Sequence, residues 1–235
     1  MKFKILSFKK ILSTSVKAKK IKSGDDYWTI IVSESQGAGH GKGKRSWFSP
    51  RGGLYFSIVM KPKLLADIQL LTFAVGISVA KVLNKKFEAG ACLKWPNDVL
   101  IKGKKVCGAL VENVVGEEIK STVIGIGINT NIEKFPPLLA DTATSLKNEF
   151  EKEIDNKQLL QEFLEELEKT LKKTEREILK EYRTYENTLG KEIKILSKGE
   201  EVYGRAIDFD ERGDLVVELK NKQRLKILEG DITRL

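Results

Sequence analysis

The sequence predicts an α+β protein, with a mixed β-sheet domain and packed helices over residues 1–187 and a small β-barrel over 188–235. Three observations support this class. Short apolar segments punctuated by glycine are typical of strands. Two longer stretches have helical character, and after Gly190 the chain changes to short alternating segments. A chain of 235 residues with 41% hydrophobic side chains has room for one substantial domain and a small appendage.

Residues 28–32 and 54–60 predict two strands on either side of a glycine-rich loop. Residues 66–83 are almost continuously apolar and too long for one strand, so we expect a helix lying against a sheet. Four short strands are predicted next, with a tight turn at Gly103-Lys104: 91–95, 99–101, 105–112 and 122–128.

After Pro136 and Pro137, Asp155 and Gln158 have the spacing of a capping box and predict the start of a helix. Apolar residues then recur at near-helical spacing from Leu160 to Tyr182. Beyond Gly190, four strands separated by turns at 212–214 and 220–222 predict the barrel: 193–196, 202–208, 215–219 and 225–228.

Positive charge is concentrated at the N-terminus. The formal net charge is +9, but residues 1–22 hold eight lysines and no acid, which leaves 34 basic against 33 acidic side chains elsewhere. We interpret this segment as a solvated basic edge, with steering of acidic ligands or partners as the alternative. A nucleic-acid-binding module would more often spread basic residues with interleaved aromatics over a folded face.

Lysines interrupt every apolar run before residue 26, so no signal peptide is expected. The apolar stretch near 70–83 is shorter than a bilayer span and contains Lys81, which argues against a membrane segment. Cys92 and Cys107 lack metal-binding spacing and predict buried, reduced thiols in a cytoplasmic protein.

Residues 36–47 form the most informative segment, in which four glycines alternate with basic residues and Trp47 closes the run. Glycine lets backbone amides approach a ligand, and the cations and the ring suit an anion such as a nucleotide. Neither the P-loop pattern nor GxGxxG fits in any frame. A flexible hairpin without a ligand is the alternative.

Lys94-Trp95-Pro96-Asn97-Asp98 is the second candidate cluster. A lysine at the end of an apolar strand needs an anionic partner. Asp98 is one candidate; otherwise Lys94 faces a ligand carboxylate or phosphate while Asp98 orients it or helps hold a metal. In a third cluster, 125–129, glycines permit close packing and Asn129 could bond a ligand edge. With His40 as the only histidine, we expect chemistry based on positioning and charge neutralisation.

These segments, together with Ser13-Thr14 and the run 104–108 followed by Glu112, occur in the order seen in biotin–protein ligases, which the chain resembles over nearly its whole length. The resemblance is to the short, single-function group, because no room precedes Ser13 for a DNA-binding helix-turn-helix domain. It implies a class II synthetase-like catalytic domain at 1–187 and an SH3-like barrel at 188–235.

The resemblance also implies the reaction. Biotin and ATP would form biotinyl-5′-AMP, with Mg²⁺ on the polyphosphate, and biotin would pass to a lysine of a biotin carboxyl carrier protein. No specific DNA binding is expected, and homodimerisation would use exposed strand edges.

Carried over by position, the site residues fall into groups. Lys42 and Lys94 would be catalytic. The biotin-binding residues would be Ser13, Thr14, Ser15, Gln36, Gly39, His40, Gly41, Lys42 and Lys94. The ATP-binding residues would be Lys42, Arg45, Trp47, Lys94, Asn97 and Asn129, with Asp98 a candidate Mg²⁺ ligand.

The chain departs from the family pattern at Lys42, where many members have arginine. Lysine lacks a planar bidentate grip, so we expect looser retention of the adenylate. Three alternatives stay open: a lipoate–protein ligase-like transferase, a non-catalytic biotin- and nucleotide-binding regulatory module, and a nucleic-acid-binding module.

Overall fold

A computed structural model of the chain describes residues 2–24, 27–43, 45–61, 67–197 and 199–234. The described strands are β1 Lys2–Phe8, β2 Tyr27–Ser33, β3 Gly39–His40, β4 Ser46–Trp47, β5 Leu54–Met60, β6 Cys92–Lys94, β7 Asp98–Ile101, β8 Lys104–Val115, β9 Ile119–Ile128, β10 Glu192–Ser197, β11 Glu200–Phe209, β12 Leu215–Glu218, β13 Arg224–Ile227 and β14 Asp231–Arg234. The described helices are α1 Thr14–Ala18, α2 Ile68–Phe87, α3 Pro137–Ala140, α4 Leu146–Phe150, α5 Asn156–Thr170 and α6 Glu175–Tyr185.

Seven strands form the main sheet in the order β1-β2-β5-β9-β8-β7-β6. β1 and β2 are parallel, and the other neighbours are antiparallel. The long helix α2 packs against this sheet and against α5 and α6, while α1 packs against β2, β5 and β9. Alternate residues of β9 separate the two faces, since Ile124 belongs to the α2-side core and Val123 packs with Ala18 of α1. The α+β class and its mixed sheet are confirmed.

The predicted apolar helix is α2, which starts after the N-cap Asp67; the predicted start at Ala66 lies outside the described residues. This helix is long and apolar enough to cross a membrane, but 67% of its most apolar window is buried inside the fold. The burial is that of a central core helix.

The single helix predicted from Asp155 to Tyr182 is wrong, because the structure has two helices, α5 and α6. Asp155 caps α5 as expected. The break comes at Thr174, whose side chain and that of Glu177 form a full capping box. Both helices bury their apolar faces beside α2, so the periodicity continues across the break and hides it.

β1, β14 and the short helices α1, α3 and α4 were not predicted. β1 is the edge strand of the main sheet, and its lysines are exposed, which is a common protection of sheet edges.

The tight turn lies at Lys102-Gly103, one residue earlier than expected, where both residues have positive φ. Cys107 is buried, as expected, but Cys92 is partly exposed; both are free thiols.

The C-terminal strands form an antiparallel sheet in the order β13-β12-β11-β10-β14. Its turn at Gly213 docks on the main domain, where the Trp95 indole Nε1 donates to the Gly213 carbonyl over 3.1 Å. Phe73 stacks on Tyr182 and meets Phe209 edge-on, so an aromatic cluster joins α2, α6 and β11. This docking places β14 at one side of the cavity described next.

Candidate active site

A cavity of about 600 Å³ opens on the face of the main sheet that carries α1. The segments that line it include α1, the glycine loop, the 94–98 turn, parts of β8 and β9, residues 135–143 and residues 230–233. Glycines on β9 make room for two of these segments. A Cβ on Gly125 would lie 2.3 Å from Ser15 Oγ, and one on Gly127 would lie 2.3 Å from Trp47 Nε1. The predicted close packing at this strand therefore exists.

One wall of the cavity is a chain of neutral hydrogen bonds. Thr14 donates from its backbone N (2.8 Å) and its Oγ1 (3.1 Å) to Gln36 Oε1, and Gln36 Nε2 donates to Ser49 Oγ over 2.9 Å. Ser57 Oγ donates to Thr14 Oγ1 over 2.8 Å and lies 3.1 Å from Ser15 Oγ. Such a connected network fixes the side chains for polar recognition in a low-dielectric site.

Ser49 and Ser57 support this wall from behind through their hydrogen bonds to Gln36 and Thr14, and they were missed from sequence. Ser57 is fully buried in the middle of the apolar strand β5, and a lone serine in such a strand was the available signal. Ser13 was predicted and lines the cavity, where its Oγ also caps α1 by accepting from Val16 N.

The glycine loop is a small hairpin in which β3 pairs with β4. Gly41 N donates to the Arg45 carbonyl over 2.8 Å, and Gly43 at the tip has φ +67°. Gly39 is packed so tightly that a Cβ would lie 2.5 Å from Ser49 Oγ. His40 is exposed, with its Nδ1 2.5 Å from the Ala38 carbonyl. Lys44, one of the predicted loop cations, lies outside the described residues.

The two described loop cations face carboxylates of the C-terminal sheet region. Arg45 Nη1 lies 2.6 Å from Asp231 Oδ1, and Lys42 Nζ lies 3.7 Å from Glu229 Oε2. Burial lowers the pKa of Lys42 below its ordinary value, and Glu229 and Asp231 partly offset that effect. The cations that we expected to meet phosphate are thus paired with internal anions in this structure.

The Trp47 ring packs against Gly108 of β8 and Gly127 of β9. The ring would touch a Cβ on Gly108 or Gly127, and Lys105 Nζ lies 5.0 Å from the ring centre. The buried indole Nε1 has no hydrogen-bond partner among the described residues. A buried donor without a partner costs about 1–3 kcal/mol, so this N–H is a group that a ligand acceptor could satisfy.

Lys94 and Asp98 lie directly opposite each other in the β6–β7 hairpin, and Asp98 forms an ion pair with Lys105 at 2.5 Å. Lys94 and Lys105 both line the cavity. Lys105 was missed because only the strand register brings this part of β8 beside the 94–98 turn.

Asn97 and Asn129 line the cavity, but their amide nitrogens hydrogen-bond to backbone carbonyls of the protein itself. Asn97 Nδ2 donates to the Ala109 carbonyl over 2.6 Å, and Asn129 Nδ2 donates to the Thr144 carbonyl over 3.0 Å. Asn129 is 3% exposed. Each side chain can therefore offer a ligand its carbonyl oxygen as an acceptor.

The described residues contain no cluster of three metal-ligating side chains. Three aspartates line the cavity, Asp98, Asp141 and Asp231, of which Asp98 is paired with Lys105 and Asp231 with Arg45. A Mg²⁺ ion that arrives on a polyphosphate needs only one or two protein carboxylates, so this wall fits such an ion without forming a dedicated cage.

Known protein families and solved structures match this sequence and fold. The model of the biotin/lipoate A/B protein ligase family matches residues 8–129, and the model of the biotin protein ligase C-terminal domain matches residues 188–234. The chain belongs to the biotin/lipoate A/B protein ligase family. Its second match is to the C-terminal domain of the biotin protein ligases within it.

Individual relatives agree. The bifunctional ligase/repressor BirA of Bacillus subtilis is 33% identical over 215 residues, covering 87% of this chain. This chain spans only 65% of that relative's length. The biotin–[acetyl-CoA-carboxylase] ligase of Mycobacterium tuberculosis is 26% identical, covering 88% of this chain and 79% of the relative. The Aquifex aeolicus biotin protein ligase in complex with biotin and ATP superposes with a TM-score of 0.87 at 30% identity, covering 99% of this chain and 98% of that one.

Proposed function

We propose that the protein is an ATP-dependent ligase that activates biotin as biotinyl-5′-AMP and transfers biotin to a lysine of a biotin carboxyl carrier protein. One observation carries the proposal: a single cavity joins a neutral hydrogen-bonding wall to a cationic wall, which consists of Lys42, Arg45, Lys94 and Lys105. The neutral wall, built on Thr14 and Gln36, suits the ureido ring of biotin, which needs both donors and acceptors. The cationic wall suits a carboxylate that must meet a phosphate.

In the first step, a carboxylate oxygen of biotin would attack the α-phosphorus of ATP, and pyrophosphate would leave. Lys94 and Lys105 would hold the carboxylate and the α-phosphate together, while Lys42 and Arg45 would leave their carboxylate partners for the phosphates. Cations fixed where negative charge redistributes lower the barrier. Trp47, with its unpartnered N–H, and the carbonyl oxygens of Asn97 and Asn129 would meet the nucleotide.

In the second step, the neutral amine of a carrier lysine would attack the acyl carbon, AMP would leave with the bonding electron pair, and the nitrogen would release its extra proton to water. Ser13, Thr14, Ser15, Gln36 and the backbone of 39–41 would hold the biotin ring throughout. Mg²⁺ would neutralise the polyphosphate in the first step, with Asp98 as its candidate protein ligand.

We divide the chain into a ligase domain at 1–187 and a C-terminal domain at 188–235, a division that the two separate family matches support. The free thiols Cys92 and Cys107 suit the reducing cytoplasm. A homodimer would use an exposed strand edge, for which the distal half of β8, beyond its pairing with β7, is the candidate.

Lipoate is the competing substrate, because the family includes lipoate ligases. The polar wall favours biotin, since lipoate has no ureido group to pair with Thr14 and Gln36. Incubation of an unmodified carrier domain with ATP and equal amounts of biotin and lipoate, followed by mass spectrometry, tests this choice. We expect the mass of one biotinyl group on the carrier lysine; a lipoyl adduct or an unmodified carrier would contradict the proposal.

A further inference from the structure

The eight N-terminal lysines play no part in the chemistry above, and the structure gathers four of them beside the cavity. Lys9, Lys10, Lys17 and Lys20 are exposed on the segment from the end of β1 to two residues beyond α1. Lys17 Nζ lies 5.8 Å from the centre of the Phe8 ring, which brings Lys17 next to the end of β1, where Lys9 and Lys10 follow in the chain. We call these four residues, together with Leu12 and Val16, the lysine face.

The lysine face borders the mouth of the cavity. Ser13, Thr14 and Ser15, which lie between its members in sequence, form the cavity wall. The carbonyl of Leu12 accepts from Ala38 N over 2.8 Å, so the face also adjoins the base of the glycine hairpin. None of its four lysines is among the residues that line the cavity. Their charge acts on something that approaches from outside.

Within the part of the chain that the structure describes, no acidic side chain neutralises the four lysines of this face. In its neighbourhood Lys19 pairs with Glu112 at 2.8 Å, but the four lysines of the face make no ion pair with any acid in the described ranges. Glu34, whose backbone amide bonds to the Phe8 carbonyl, directs its carboxylate towards Arg51 at 3.7 Å. Leu12 is 72% exposed and Val16 38%, which adds an apolar contact within the charged rim.

We propose that the lysine face docks an acidic surface of the carrier protein whose lysine receives biotin. This inference rests on the proposed function, because a ligase must bring a protein lysine to the mouth of this cavity. Complementary charges at the rim of an interface mainly raise the rate of encounter. A nucleic acid is less well matched, since the ring beside the lysine face, that of Phe8, is partly buried and already contacted by Lys17, which leaves no open aromatic surface on the face for a base.

The test uses charge reversal away from the chemistry. The variant Lys9→Glu/Lys10→Glu/Lys17→Glu/Lys20→Glu is compared with stepwise pairs and with a control, Lys157→Glu/Lys180→Glu, which changes exposed lysines on α5 and α6. Three rates are measured: biotin-dependent ATP–pyrophosphate exchange, biotinyl hydroxamate formation with hydroxylamine, and kcat/KM for a recombinant biotin carrier domain at low and physiological salt.

We expect kcat/KM for the carrier domain to fall about tenfold or more at low salt, through KM, and the difference to shrink as salt screens the charges. Exchange and hydroxamate formation should stay within about twofold, because no lysine of the face lines the cavity. For each charge reversed, the control variant Lys157→Glu/Lys180→Glu should lose much less of its kcat/KM for the carrier domain.

Three results would overturn the proposal. The first is an equal loss of kcat/KM for the carrier domain and of the rate of hydroxamate formation, and the second is a loss of kcat/KM no larger than in the control variant. The third is an unchanged kcat/KM for the carrier domain together with lost binding to labelled duplex DNA. Failure of the proposed function has a different signature. In that case the unsubstituted protein itself would form no hydroxamate from biotin and ATP.

Discussion

Gln36 is the residue on which the neutral wall depends, because its amide joins Thr14 on one side to Ser49 on the other. Gln36→Leu would leave the Thr14 amide and hydroxyl without their acceptor. A buried polar group left unpaired costs about 1–3 kcal/mol, so biotin affinity should weaken about tenfold to a hundredfold. Calorimetric titration with biotin measures this. The exposed Gln161→Leu serves as a matched control, and equal affinity in both variants would remove Gln36 from the site.

Lys42 should make nucleotide binding sensitive to alkaline pH. Only its protonated form attracts phosphate, and burial lowers its pKa from the ordinary 10.5 despite Glu229 and Asp231. Affinity for ATP is therefore complete below that lowered pKa and is lost as pH rises through it. Arginine stays charged beyond about pH 12, so Lys42→Arg should remove the alkaline loss. Titrations of ATP across alkaline pH check this, and identical profiles would exclude Lys42 as the titrating group.

The same substitution should slow release of the intermediate. A guanidinium can grip a phosphate through two parallel hydrogen bonds, which the Lys42 ammonium cannot. Release of labelled biotinyl-AMP, followed after rapid dilution, should be several-fold slower in Lys42→Arg. Faster or unchanged release would show that Lys42 does not contact the adenylate phosphate.

Strand β9 builds the floor of the cavity because its glycines leave space for Trp47. A Cβ at Gly127 would lie 2.3 Å from the indole Nε1, so Gly127→Ala must displace the ring. We expect weaker ATP binding by about tenfold and a stability loss of about 1–3 kcal/mol from overpacking. Gly116→Ala is the control, since its Cβ would meet only the Lys120 side chain. ATP affinity as strong in Gly127→Ala as in the control would place the nucleotide away from Trp47.

The elements could be predicted where one physical pattern dominated. Apolar runs located β2, β5 and α2, because burial on the sheet requires them. The break between α5 and α6 escaped, since both helices keep one apolar face against the same partner. β1 escaped because Lys2 and Lys4 mask the apolar pattern of an edge strand.

The residues of the candidate site were likewise only partly predictable from the sequence. Local segments such as 36–47 and 94–98 were visible because their chemistry is contiguous in the sequence. Lys105, Ser49 and Ser57 were not, because only the sheet register brings Lys105 to the cavity, and only hydrogen bonds to Gln36 and Thr14 link Ser49 and Ser57 to its wall. The pairing of Arg45 with Asp231 depends on docking between two parts of the chain and has no sequence pattern at all.

Across the whole molecule, the C-terminal sheet region holds the loop cations that the proposed function assigns to the nucleotide, so the two would compete. Asp231 and Glu229 hold Arg45 and Lys42 at 2.6 Å and 3.7 Å, in half-exposed pairs. Exposed ion pairs contribute about 0.2–1 kcal/mol, so Asp231→Asn should lower KM for ATP by up to about fivefold. The gain should fade with added salt. A raised KM would mean instead that Asp231 holds the hairpin ready for the nucleotide.

We propose that this cavity joins biotin to AMP, and the exchange of labelled pyrophosphate into ATP is the most direct test. This reaction would use the neutral wall and the cationic wall together, but no carrier protein. We expect exchange that depends on biotin, is absent with lipoate, and falls by orders of magnitude in Lys94→Ala. Exchange with lipoate alone, or full exchange in Lys94→Ala, would contradict it.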